Sequence, residues 1–181
     1  MNKEDSSQEQ EDRAMELGIT IPLQKHLNIR NLEYGTEQKL FYCWEVHRIR
    51  LQAEDTLVAV NASNRAAVVL CGMDAAGWRD FTALFVEGVR MMLEAEGYSG
   101  LQIQEYLDKA GPVTLTRTHG RRSVASLNRM DDYLWSLPAL ISKDRLFQPI
   151  HCLEANRQIC KMGGHEGNRL PFQCLEMDMK Q

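Results

Sequence analysis

Between Lys39 and Gly97 the apolar residues change period, and that change constrains the fold more than any other feature of the chain. In "KLFYCWEVHRIRL" (39–51), "EDTLVAVNA" and "AAVVLCG" they alternate or run continuously, and many are aromatic or β-branched. That is strand patterning. From Asp74 onward, Trp78, Phe81, Phe85, Val89, Met92 and Leu93 recur at helical spacing and form one apolar stripe suited to packing on a sheet. Strands that cluster, followed by helices that cluster, argue an α+β fold.

In the first strand Tyr42, Trp44 and Val46 share one face, and Ile49 and Leu51 share the other. Either a bulge intervenes near Glu45 to Arg48 or burial changes sides there. An acidic turn leads into the second strand. "NASNR" (61–65) is a turn by composition, because Asn and Ser side chains bond to nearby backbone. The continuous apolar run "AAVVLCG" suits a central strand. Short links make the three an antiparallel meander. Asp74 is an N-cap candidate for "AAGWRDFTALFVEGVRMMLEAEG", and Gly97 fits the position that ends this helix. Ser99 and Gln102 form a capping box for "GLQIQEYLDKA", which Gly111 and Pro112 stop. "VTLTRT" (113–118) reads as a fourth strand, and "SVASLNRMDDYLWSLP" as a helix ending near Pro138. The expected order is β-β-β-α-α-β-α, with the helices packed on one face of a largely antiparallel sheet.

The chain has 181 residues, a length suited to one domain with extensions. Residues 1–16 carry six acids against Lys3 and Arg13, a net of −4 that equals the whole chain's, so residues 17–181 sum to zero. The expectation is a disordered acidic tail over 1–16, or a frayed helix at "EQEDRAMELG". A single domain is expected over 17–138, beginning with "ITIPLQKHLNIRNLEYG" as an arm on its surface. Residues 139–181, which include the turn-rich "KMGGHEGNRLPF", read as a C-terminal extension packed on the domain. No apolar run suits a membrane span and no signal sequence is visible, so the expected compartment is the cytoplasm, with no membrane partner. The odd number of irregularly spaced cysteines, five, reads as reduced thiols, with Cys43 and Cys71 buried.

The residues that suggest chemistry lie in two loops. "THGRRS" ends the fourth strand and "NASNR" the second. If these ends share one edge of the sheet, Asn61, Asn64, Arg65, His119, Arg121 and Arg122 converge. Arginine presents a planar fork of donors to phosphate or carboxylate. The bland alternative is a solvated loop whose arginines pair with Asp131, Asp132 or the acidic tail. His47 is a second candidate acid/base, although a lone strand histidine is more often structural. His151, Cys152, Cys160, His165 and Cys174 offer metal-ligand chemistry without the spacing of a preorganised zinc site, so no metal is expected. There is no P-loop, GxGxxG, HExxH or GxSxG motif, and no cofactor is expected.

Several pieces resemble a small bacterial family catalogued only as a domain of unknown function. They are "KL" before the first strand, Trp and His in "WEVH", "LVAVNASN" before an apolar strand, and above all "RRSVASLNR". Arg122, Ser123, Val124 and Asn128 fill the family's Arg-Ser-Val…Asn pattern, which adds Asn128 to the candidate ligand residues. The resemblance spans about residues 39–128. It implies the order of elements and brings no activity with it. The resulting expectation is a non-enzymatic binding domain for an anionic partner, nucleic-acid phosphate or an acidic protein segment. One alternative is an enzyme acting on a phosphorylated or nucleotide substrate, with His119 or His47 as acid/base. The other is a structural or protein-interaction module.

Overall fold

The computed structural model describes residues 14–181. The meander forms as its residue types dictate. Strand β2 (Cys43–Leu51) pairs antiparallel with β3 (Glu54–Asn61), and β3 pairs antiparallel with β4 (Ala67–Cys71). The β2–β3 register runs unbroken from Trp44↔Asn61 to Leu51↔Glu54, so burial changes sides along β2 without a bulge. The hairpin turns on Gln52 and Ala53, whose φ angles of 50° and 70° match the twist of the flanking strands.

The sheet differs from expectation at its centre. Met15–Ile19 forms β1, which lies between β2 and β5 (Val113–Arg117) and runs parallel to both. The sheet is therefore mixed, in the order β4-β3-β2-β1-β5. This corrects the largely antiparallel expectation, and Met15 and Glu16, read as the end of a disordered tail or of a frayed helix at "EQEDRAMELG", are strand residues. Met15, Leu17 and Ile19 alternate into the core and are buried. Residues 1–13, where most of the acidic tail falls, lie outside the described residues. The expected surface arm begins instead as the last strand residue, Ile19, and helix α1 (Ile21–Leu27). Pro22 sits in the first turn of α1, where no helical N–H partner is needed.

The expected first helix is two. Asp74 caps α2 (Ala75–Arg79) by accepting from the Gly77 N–H at 2.7 Å, and the chain restarts at Asp80 into α3 (Phe81–Ala95). Gly97 follows α3 at φ 93°, and the Tyr98 N–H closes onto the Leu93 carbonyl. Ser99 and Gln102 form the reciprocal cap of α4 (Gly100–Ala110). Helix α5 (Arg121–Ser136) follows β5.

Helices cover both faces of the sheet, a second correction. Trp44 meets Phe85 of α3 edge-on at 5.4 Å and donates to the Tyr106 hydroxyl of α4 at 3.1 Å. His47 points the other way along β2 and meets Asp131 of α5 at 2.7 Å. The buried runs of β1, β3 and β4 require cover on both sides, as apolar strands without alternation do.

Residues after 139 add α6 (Pro149–Ala155), the hairpin β6 (Cys160–Lys161) and β7 (Asn168–Arg169), and α7 (Pro171–Met179). Leu146 to Gln148 run along the outer edge of β4, where the Cys71 N–H donates to Leu146 and the Gln148 N–H to Val69. Pairing removes an open sheet edge.

Candidate functional site

Two groups of side chains form on the face of the sheet covered by α5. The first arises from strand register. Glu16 pairs with Cys43 and Gly18 with Glu45 across the parallel β1–β2 ladder, so Glu16, Cys43 and Glu45 project to one face. After β5 the chain brings His119 over Gly18. A Cβ on Gly18 would collide with the Glu45 carboxylate and lie 2.9 Å from the Thr118 Cα, so only glycine leaves room.

His119 then stands between two carboxylates. Its Nδ1 is 2.8 Å from Glu45 Oε1, and its Nε2 is 2.9 Å from Glu16 Oε2. Glu16 Oε1 accepts from the backbone N–H groups of Thr36 and Glu37 at 2.6 and 2.8 Å. The Cys43 thiol lies 3.8 Å from Glu16 Oε2. Burial opposes charge on the imidazole, but bonding to Cys43, Glu45 and Glu16 outweighs it and holds the His119 pKa up at about 11. Burial likewise opposes charge on Glu16, yet His119 and the two backbone donors hold its pKa below the ordinary carboxylate value. Burial pushes the Cys43 thiol up, so it stays protonated. The second oxygen of Glu45, Oε2, is buried without a hydrogen-bond partner among the described residues.

The second group surrounds a cavity of about 470 Å³ between the β3–β4 turn, α5 and the β6–β7 hairpin. Arg65 enters it from the turn and is only 4% exposed. Its Nε contacts the Lys161 carbonyl at 3.4 Å, while Nη1 is buried without a hydrogen-bond partner among the described residues. Burial pushes the Arg65 pKa below its ordinary value, and Arg129 acts in the same direction. Arg129 and Lys161 add positive charge to the walls, and Val60, Met130, Tyr133 and Ile159 add apolar surface. Arg65 holds φ at 65°, a left-handed conformation costing roughly 1–2 kcal/mol for a residue with a Cβ. Gly163 packs so closely over the turn that a Cβ there would strike the Ala62 carbonyl and lie 2.9 Å from Arg65 Nη2.

The structure disperses the other sequence candidates. Asn61 and Asn64 build the turn. Asn61 Oδ1 accepts from the Ser63 and Asn64 N–H groups, and its amide donates to the Phe41 carbonyl. Asn64 Oδ1 accepts from the Ala66 N–H, and its amide donates to Asp178. His119 belongs to the carboxylate cluster, and His47 is bonded to Asp131, whose pKa burial raises. Arg121 and Arg122 are exposed at the start of α5, without an ion pair among the described residues, and Asn128 is exposed further along it. Arg65 alone of the expected set lines the cavity. The sequence reading missed Arg129 and Lys161 as its partners. A signal was present, since Ser126, Arg129, Met130 and Tyr133 fall at the spacing of one helix face and all line the cavity.

The residues weighed as zinc ligands, His151, Cys152, Cys160, His165 and Cys174, form no metal-ligand group among the described residues. His165 bonds to Asp178 at 2.9 Å, and His151 is buried with its pKa lowered by that burial. Among the described residues, the group whose donor atoms suit a metal is Glu16, Cys43 and His119. All five cysteines are free, and Cys43 and Cys71 are buried as expected.

No curated protein and no solved structure matches the chain. The model of a domain of unknown function, DUF6933, matches residues 16–172, from β1 into α7 and well beyond the stretch on which the sequence resemblance rested. The chain belongs to the DUF6933 family.

Proposed function

We propose that this protein is a binding domain for a small organic anion, a phosphate or carboxylate on an apolar body, held in the cavity at Arg65. The observation that carries the reading is the buried Nη1 of Arg65, which has no hydrogen-bond partner among the described residues. An arginine keeps its charge at any physiological pH, and a buried charge without a partner costs several kcal/mol, about 3–5 when a pair is broken. An anion entering the cavity offsets that cost by accepting from Nη1, while Arg129 and Lys161 add to the field. The apolar walls select for a ligand body rather than a bare ion. The strained φ of Arg65 supports the same reading, because asparagine or glycine would occupy that turn position at less cost.

The geometry favours a binder over an enzyme in one respect: neither His47 nor His119 lines the cavity. It also favours a small ligand over extended nucleic acid, since the charge is gathered in one concave site. Arg122 lies one helical turn before Ser126 and extends the same stripe outward, whereas Arg121 is rotated away from it.

Thermal-shift titration of the full chain with mononucleotides, aromatic carboxylates and small dicarboxylates tests the proposal. At least one anion should raise the melting temperature saturably, and its uncharged analogue should not. Arg129→Ala removes an exposed side chain and should leave the fold intact. It should weaken binding about 5- to 150-fold, the value of one charge-assisted contact. A wild type unmoved by every anion, or moved equally by the neutral analogues, contradicts the reading. Tight, steeply salt-dependent binding of a single-stranded oligonucleotide that needs Arg121 and Arg122 but not Arg129 points instead to an extended phosphate surface.

A further inference from the structure

We propose that Glu16, Cys43 and His119 form a binding site for a divalent transition-metal cation of the zinc type, independent of the anion cavity. Their donor atoms, one carboxylate oxygen, one sulfur and one imidazole nitrogen, lie within 4.8 Å of one another. With bonds of about 2.0–2.3 Å, tetrahedral zinc needs its ligand atoms roughly 3.3–3.5 Å apart. Glu16 Oε2 stands 2.9 Å from His119 Nε2 and 3.8 Å from Cys43 Sγ, each within a few tenths of an ångström of those separations.

Each ligand is also held in place by a neighbour. The Thr36 and Glu37 N–H groups occupy Glu16 Oε1 and leave Oε2 facing the site. Glu45 Oε1 accepts from both the His119 backbone N–H and the ring Nδ1. That bond presents Nε2 to the metal, the carboxylate–histidine–metal arrangement that orients ligands in known sites. Cys43 is fixed by its place in β2 beside Glu16.

Glu45 stands beside the three ligands and holds His119 in place. It is fully buried, yet its Oε2 has no hydrogen-bond partner among the described residues. Two carboxylates, a thiol and an imidazole share this buried space, and a dication bound to three of them replaces the two protons it displaces, so the net charge of the cluster is unchanged. Binding displaces the protons on His119 Nε2 and the Cys43 thiol to solvent, as metal capture by these ligand types requires. Three protein ligands leave the fourth position for water or a bound group, as in sites that keep an open coordination position. The mixed nitrogen, oxygen and sulfur set favours zinc or cobalt over magnesium or calcium, which take oxygen ligands.

The test uses the full chain, stripped of metal and titrated with Co²⁺ and then Zn²⁺. The expected result is one Co²⁺ per chain, with intense visible bands of tetrahedral cobalt and a near-ultraviolet thiolate-to-cobalt band, both lost on adding Zn²⁺. Cys43→Ser should abolish the near-ultraviolet band, while Cys160→Ser should leave it unchanged. Glu45→Gln should keep the band and weaken binding about 10- to 100-fold, because Glu45 positions His119 without touching the metal. X-ray absorption on zinc-loaded wild type needs no variant and should show one sulfur in the first shell. No stoichiometric binding, a shell without sulfur, or a band that follows Cys160 instead of Cys43 overturns the site.

Discussion

Single residues divide into those whose role is local and those whose role depends on distant chain. Asp74, Gly97 and the Ser99–Gln102 pair act within one turn of helix, and the sequence alone identifies each. Arg65 is the opposite case. Its place in a turn was legible, but its burial and its free Nη1 depend on Lys161 and Gly163, about a hundred residues away. Asp55 gives a test at this scale. It accepts from Arg48 at 2.6 and 2.8 Å and from the Trp78 indole at 3.2 Å, joining the β2–β3 hairpin to α2. Partial burial raises its pKa, but the bonds from Arg48 and Trp78 outweigh that and hold it below 3.8. A carboxylate with a lowered folded pKa contributes stability that is present above its unfolded value and lost as pH falls through the folded one. Asp55→Asn should therefore cost about 1 kcal/mol at pH 7, and the gap between variant and wild type should close as pH is lowered below 3.8. Urea denaturation across that range measures it, and a gap independent of pH contradicts the assignment.

At the scale of elements, the meander and the helices were legible because each rests on its own periodicity and short connections. Strand β1 was not. Its five residues follow an acidic stretch, include Gly18 and run into Pro22, so composition pointed to tail and arm. The alternation of Met15, Leu17 and Ile19 was the signal, too short to outweigh that context. Parallel pairing to β2 and β5 joins segments far apart in sequence, which no local pattern reports. The Glu16–Cys43–His119 group stayed invisible for that reason. The central place of β1 predicts that Leu17→Ala, which truncates a fully buried side chain between Trp44 and Leu115 in register, destabilises the protein by about 2–5 kcal/mol. Chemical denaturation showing a loss below about 1 kcal/mol, typical of a surface change, would place the strand outside the core.

For the molecule as a whole, the cavity is assembled from three stretches of chain: the β3–β4 turn, the inward stripe of α5 and the β6–β7 hairpin. The hairpin lies in the segment read from sequence as an extension, and the family match, which runs through residue 172, includes it. Gly163 and Gly164 donate their N–H groups to the Ser63 carbonyl, so the hairpin region is tied to the turn that carries Arg65. Of the arginines between residues 117 and 129, Arg129 lines the cavity and the two beside Gly120 do not, because Arg129 falls on the helix face of Ser126 and Tyr133. The most direct measurement of the central claim is a crystal structure of the chain with the best anion from the titration panel. The anionic group should lie within about 3 Å of Arg65 Nη1, with Arg129 closing over it. An anion lodged at Arg121 and Arg122, with Nη1 of Arg65 still without a partner, would contradict it.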